Sequence, residues 1–168
     1  GVEQSHVNLA YPEDIFYEYL RRIGHLVDLA APAGAPVKAL HLGAGALTLA
    51  RYIQATRPGS EQYAVELERE LLAFVLQQLP LPALHTITGD AREALGGLDP
   101  EAAFDVVILD IFSGPEAPAH IACTEFYSEV REILAPSGVL VVNVGDEPGL
   151  TLVRSQVAAM RRAMADVA

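Results

Sequence analysis

An α/β fold, with a mostly parallel twisted sheet and helices on both faces, is what this sequence predicts, and three observations predict it. Short apolar runs alternate with longer stretches of helical period. Two of those runs, Phe104–Leu109 and Val139–Val144, are almost continuously hydrophobic, the pattern of strands covered on both faces, and are expected at the sheet centre. A glycine turn, Gly43-Ala44-Gly45, leaves the first strand and opens a helix, at the end of the sheet where such folds hold ligands.

The elements follow in order. An amphipathic helix is expected from about Pro12 to Leu29, and the Gly/Pro-rich stretch Ala30–Pro36 connects it to the first strand, Lys38–Leu42. A helix from Ala46 to Ala55 is stopped by Arg57-Pro58-Gly59, and the second strand is Gln62–Glu66. Glu68–Leu79, stopped by Pro80, precedes the third strand, Leu84–Thr88, and a short helix from Ala91 to Leu98 leads into Phe104–Leu109. Thr124 caps a helix over Glu125–Leu134, the fifth strand is Val139–Val144, and a last helix spans about Leu150 to Ala165. The sequence stops at Ala168, where a sixth strand is expected to begin, so the C-terminal strands are expected to be missing.

With 168 residues, 51% hydrophobic and 20% charged, one domain is expected over residues 1–168, residues 1–36 being helix and connector and 37–168 the core. A net charge of -11, with Lys38 the single lysine, disfavours a nucleic-acid partner, since phosphate backbones require clustered cations. No apolar run approaches the roughly 20 residues of a membrane span, and the N-terminus lacks a signal-peptide layout. No membrane partner and a cytoplasmic location are therefore expected. Cys123 has no cysteine to pair with, and the five histidines show no ligand spacing, so no metal is assigned.

Four features carry chemistry. The Gly43-Ala44-Gly45 turn frees backbone N–H groups at a helix start; Thr48 stands where a dinucleotide fingerprint would have its third glycine. Glu66 closes the second strand 21 residues after Gly45, where a carboxylate can accept from both hydroxyls of a ribose. Asp90, after the third strand, can accept from an exocyclic adenine amine and equally can cap the short helix that follows. Asp110, after the most hydrophobic strand, can hold or deprotonate an amine, or serve as a loop cap.

Together, His41-Leu42-Gly43-Ala44-Gly45, Val65-Glu66-Leu67-Glu68, Gly89-Asp90-Ala91, Phe104 to Asp110 and Thr124-Glu125-Phe126-Tyr127 resemble, in order and spacing, the spermidine synthase (polyamine aminopropyltransferase) family of the class I methyltransferase superfamily. The resemblance implies a Rossmann-like core that binds S-adenosylmethionine or its decarboxylated form. It makes Gly43, Ala44, Gly45, Glu66, Leu67, Asp90, Ala91 and Gln4 cofactor contacts and Asp110 the catalytic carboxylate. Tyr17 resembles a pocket-lining tyrosine of the family. The family carries two acids after the fourth strand, as Asp-x-x-Asp; here Ser113 takes the second position, and Glu116 is a stand-in for the acid it replaces. Tyr17, Ser113 and Glu116 are thus assigned to the substrate side.

The reaction implied is attack of a small-molecule amine on a carbon bonded to a sulfonium. A free alkylamine has a pKa of about 10, so a carboxylate must take its proton. The alternatives are a small-molecule methyltransferase, favoured by Ser113, and a non-catalytic interaction module that keeps the fold. A homodimer is left open.

Overall fold

The computed structural model describes residues 5–111, 118–164 and 166–168. Its five strands, β1 (Lys38–Leu42), β2 (Glu61–Glu66), β3 (Leu84–Thr88), β4 (Phe104–Leu109) and β5 (Leu134–Val142), form one wholly parallel sheet in the order β3-β2-β1-β4-β5. Between them run α1 (Glu18–Leu29), α2 (Thr48–Thr56), α3 (Arg69–Gln78), α4 (Ala91–Gly96), α5 (Thr124–Ile133) and α6 (Thr151–Ala163). Among the described residues no helix is long and apolar enough to cross a membrane.

Strand alternation divides the core. Ala39, Val106 and Ile108 face one side and pack with Ile23 and Val27 of α1 and Leu49 and Ile53 of α2; Ala64 of β2 meets Val75 of α3 on the same side. Leu40, Leu42, Val107 and Leu109 face the other, against Phe126, Tyr127, Val130 and Ile133 of α5 and Ala159 and Ala163 of α6. Each large apolar side chain so buried contributes about 1.5–3 kcal/mol. Both faces of β1 and β4 are therefore covered, as their continuous hydrophobicity requires.

The structure corrects several boundaries. The first helix starts at Glu18, not Pro12, because Ile15 is buried among α1 and α2 and Tyr17 is extended (φ -79°, ψ 132°). The second starts at Thr48, not Ala46, because the turn continues through Leu47, whose φ of 61° is left-handed. Thr124 is the first helical residue of α5, and Cys123, not Thr124, is its N-cap. Residue 165, the expected end of α6, lies outside the described residues.

The fifth strand differs most. It begins at Leu134, directly after α5, and four residues, 135–138, stand opposite the single Asp105 of β4. Gly138 permits this bulge, since a Cβ there would lie 2.5 Å from the Phe104 carbonyl oxygen. In the described sheet β5 is an edge, not central, and Pro136, with no N–H to give, is tolerated there.

Arg57 fixes the connector to α1. It is 1% exposed and donates through Nη1 to the carbonyls of Pro32 and Ala35 and through Nη2 to those of Val27, Asp28 and Ala31. Five main-chain acceptors at a helix C-terminus are thereby satisfied by one guanidinium.

Candidate nucleotide site

Hydrogen bonding continues one step past the carboxyl ends of the strands. Gly89 N–H donates to Glu66 O (3.0 Å), Gly43 to Val65 O (3.0 Å), Asp110 to Leu42 O (2.9 Å) and Asn143 to Leu109 O (2.9 Å). This last rung sets the starts of four loops in one row across the sheet, and beyond it opens a cavity of about 810 Å³. That size accommodates a nucleoside with a short side chain.

Gly43 is required at two levels. Its φ is +91°, and a Cβ on it would lie 2.3 Å from the Asp110 carbonyl oxygen, so the turn after β1 and the end of β4 touch through main chain. The turn then passes through Gly45 (φ +49°) and Leu47, aiming successive N–H groups inward. Those of Ala44 and Gly45 donate to Oε2 of Glu66 (3.0 and 3.2 Å), while Oε1 accepts from Glu68 N–H (3.1 Å). The carboxylate that the spacing assigned to ribose is thus also the anion seated on the turn.

On the β3 side, Asp90 caps α4: its Oδ1 accepts from Arg92 N–H (2.9 Å) and Glu93 N–H (3.2 Å). Ala91, beside it, is buried, and both line the cavity. The two sequence readings of Asp90 are compatible, because one oxygen caps the helix and the other, Oδ2, which His120 Nε2 meets at 2.8 Å, keeps one lone pair. Leu67, 64% exposed, lies at the cavity rim.

On the β4 side, half-buried Asp110 accepts from Nδ2 of Asn143 (2.8 Å). Burial pushes its carboxyl above the usual carboxylate range, against the opposing pull of that amide. Tyr17 and Tyr19 line the same wall, and burial together with the Asp110 charge pushes the Tyr19 phenol up to about 12.

The structure thus brings Gly43, Ala44, Gly45, Glu66, Leu67, Asp90, Ala91, Asp110 and Tyr17 to one cavity. Gln4, Ser113 and Glu116 lie outside the described residues. Sequence reasoning gave no role to Tyr19 or His120, which also line it. The Tyr17-Glu18-Tyr19 pattern held the only signal for Tyr19; nothing local marks His120. Among the described residues no group of three or more His, Cys, Asp or Glu is placed to hold a metal ion.

No family model matches the chain. A probable polyamine aminopropyl transferase of Bifidobacterium longum is 34% identical over 119 residues, which is 69% of this chain and 26% of that protein. A probable spermidine synthase from Corynebacterium glutamicum superposes with a TM-score of 0.88 at 32% identity, covering 98% of this chain and 61% of the other. Human methyltransferase-like protein 13, in complex with SAH, superposes with a TM-score of 0.70 at 23% identity, covering 79% of this chain and 65% of the other, a likeness of fold alone. The chain spans about a quarter of the Bifidobacterium relative and under two thirds of the Corynebacterium one. Sequence and fold agree in their direction: this is a spermidine synthase-like chain, kin to the polyamine aminopropyltransferases and built on the class I methyltransferase fold.

Proposed function

We propose that this chain is the cofactor-binding and reacting part of an aminopropyltransferase that takes decarboxylated S-adenosylmethionine and passes its aminopropyl group to a small amine. One observation carries the choice of cofactor: the described residues lining the cavity include Glu66, Glu68, Asp90 and Asp110, and no lysine or arginine. His41 and His120 also line it; burial holds the His41 imidazole down at about 4, so it is neutral at pH 7, and His120 is turned to Asp90 at 2.8 Å. The turn amides of Ala44 and Gly45, the natural seat for an amino-acid carboxylate, are already bonded to Glu66. A ligand that has lost its carboxylate and kept its amine and sulfonium suits this wall better than one that retains it.

When bound, the nucleotide supplies an electrophilic carbon on a sulfonium, with a neutral thioether to leave. The chain's own tasks are then alignment, exclusion of water and one proton transfer. Glu66 accepts from the ribose hydroxyls and Asp90 Oδ2 from the base amine, anchoring the nucleotide at two ends. Asp110, across from the glycine turn, receives the acceptor amine and takes its proton. A carboxyl raised by burial is a stronger base than an ordinary one. Asn143 fixes its orientation, and the Tyr17–Tyr19 wall screens the reacting centre.

Calorimetric titration with S-adenosylmethionine, its decarboxylated form and methylthioadenosine tests the reading. The decarboxylated ligand should bind more tightly than the carboxylated one, and Glu66→Ala should weaken every nucleoside by about tenfold or more, the loss of a charge-assisted acceptor. Preference for the carboxylated ligand would instead make the chain a methyltransferase, and no binding to any would leave an interaction module.

A further inference from the structure

Between α4 and α5 lies a cluster of which the aminopropyl reading uses Asp90 alone. Oδ1 of Asp90 has both its lone pairs engaged by the α4 amides, while Oδ2 is met by Nε2 of His120 at 2.8 Å. Arg92, two residues on, grips the backbone of the same turn. Its Nη1 donates to the His120 carbonyl (3.2 Å) and approaches Sγ of Cys123 (3.6 Å), while Nε and Nη2 hold Glu129 of α5 at 2.6–3.2 Å. The 3-10 turn Ala119–Ile121 is therefore fastened to α4 by side chain and main chain together.

We infer that His120 is a positioning residue of the nucleotide site, orienting the Asp90 carboxylate so that its one remaining lone pair receives an exocyclic amine of the bound base. The inference rests on the reading of Asp90 as the base contact. Both residues line the cavity, with side chains 49% and 28% exposed for His120 and Asp90. Without His120, rotation about the Cβ–Cγ bond is opposed only by the two bonds to Oδ1, and the plane of Oδ2 is free to tilt. With it, a single in-plane acceptor is left, which admits an amine and repels a carbonyl oxygen. The carboxylate also remains an acceptor at neutral pH: burial works to raise it, and the His120 bond with the Glu93 and Arg92 amides outweighs burial and holds it below its usual range. The specificity so produced is for a 6-amino purine over a 6-oxo purine.

A half-exposed His–Asp pair that only pins a turn contributes little to stability and nothing to base choice. The two roles separate in a titration of the intact chain with 5′-methylthioadenosine and its 6-oxo counterpart, 5′-methylthioinosine. His120→Ala should weaken the adenine ligand by about tenfold and the inosine ligand little, so that discrimination collapses. His120→Gln, whose Nε2 reaches the same point, should restore most of it. In an Asp90→Ala background, His120→Ala should add no further loss. An unchanged ratio of the two affinities, equal weakening of both ligands, or the same loss with Asp90 absent would overturn the role of His120. If Asp90→Ala itself leaves methylthioadenosine binding intact, the base-contact reading of Asp90 fails and takes this inference with it.

Discussion

The proposed function rests most of its chemistry on one pair of side chains, Asp110 and Asn143. Asp110→Asn should lower the rate of aminopropyl transfer by about 10²–10⁴, the usual contribution of a positioned base, and leave methylthioadenosine affinity within about threefold. The pH profile of kcat in the unmodified chain gives an independent check. In the proposed role Asp110 must be ionised to work and its carboxyl is raised, so the acid limb should fall above the ordinary carboxylate range and disappear in the variant. Glu66 and Asp110 were legible in the sequence because each closes a strand whose hydrophobic run fixes its register. Tyr19 was not, because its place beside Asp110 depends on how α1 docks across the sheet, a distance of many residues along the chain.

The elements themselves were read from period and punctuation, and the errors fall where tertiary contact overrides local pattern. Ile15 leaves the helical path to enter the core, Leu47 adopts a left-handed turn to reach a buried site, and Leu134 joins the sheet through a bulge no periodicity encodes. Arg57 is the strongest case: in Thr56-Arg57-Pro58-Gly59 it looks like a solvated helix stop, yet it carries the α1 C-terminus and connector. Arg57→Met should cost about 3 kcal/mol or more in urea unfolding, since several buried carbonyls lose their donor. Arg57→Lys should not rescue it, because a single ammonium cannot replace two diverging nitrogens. The nucleotide affinity proposed for the opposite ends of the strands should hold in whatever fraction stays folded.

Across the whole molecule, folding is tied to pH through buried His41, whose Nε2 stands 3.0 Å from Gln62 Oε1. Its folded value of about 4 lies below its ordinary 6.5, so the unfolded chain takes the proton first as pH falls. Its contribution is complete above about 6.5 and is lost on descent to 4, about 3 kcal/mol over that window. Subtracting the stability curve of His41→Gln from that of the unmodified chain should isolate this slope from the carboxylates. The row of main-chain bonds past the strand ends has a further consequence. Neighbouring parallel strands lie about 4.8 Å apart, so the starts of the loops after β3, β1, β4 and β5, which carry Asp90, the glycine turn, Asp110 and Asn143, are graduated like marks on a rule cut into the backbone. On the proposed function, the side chains beyond these marks decide which amine is measured against them, while the graduations stay where the sheet has engraved them.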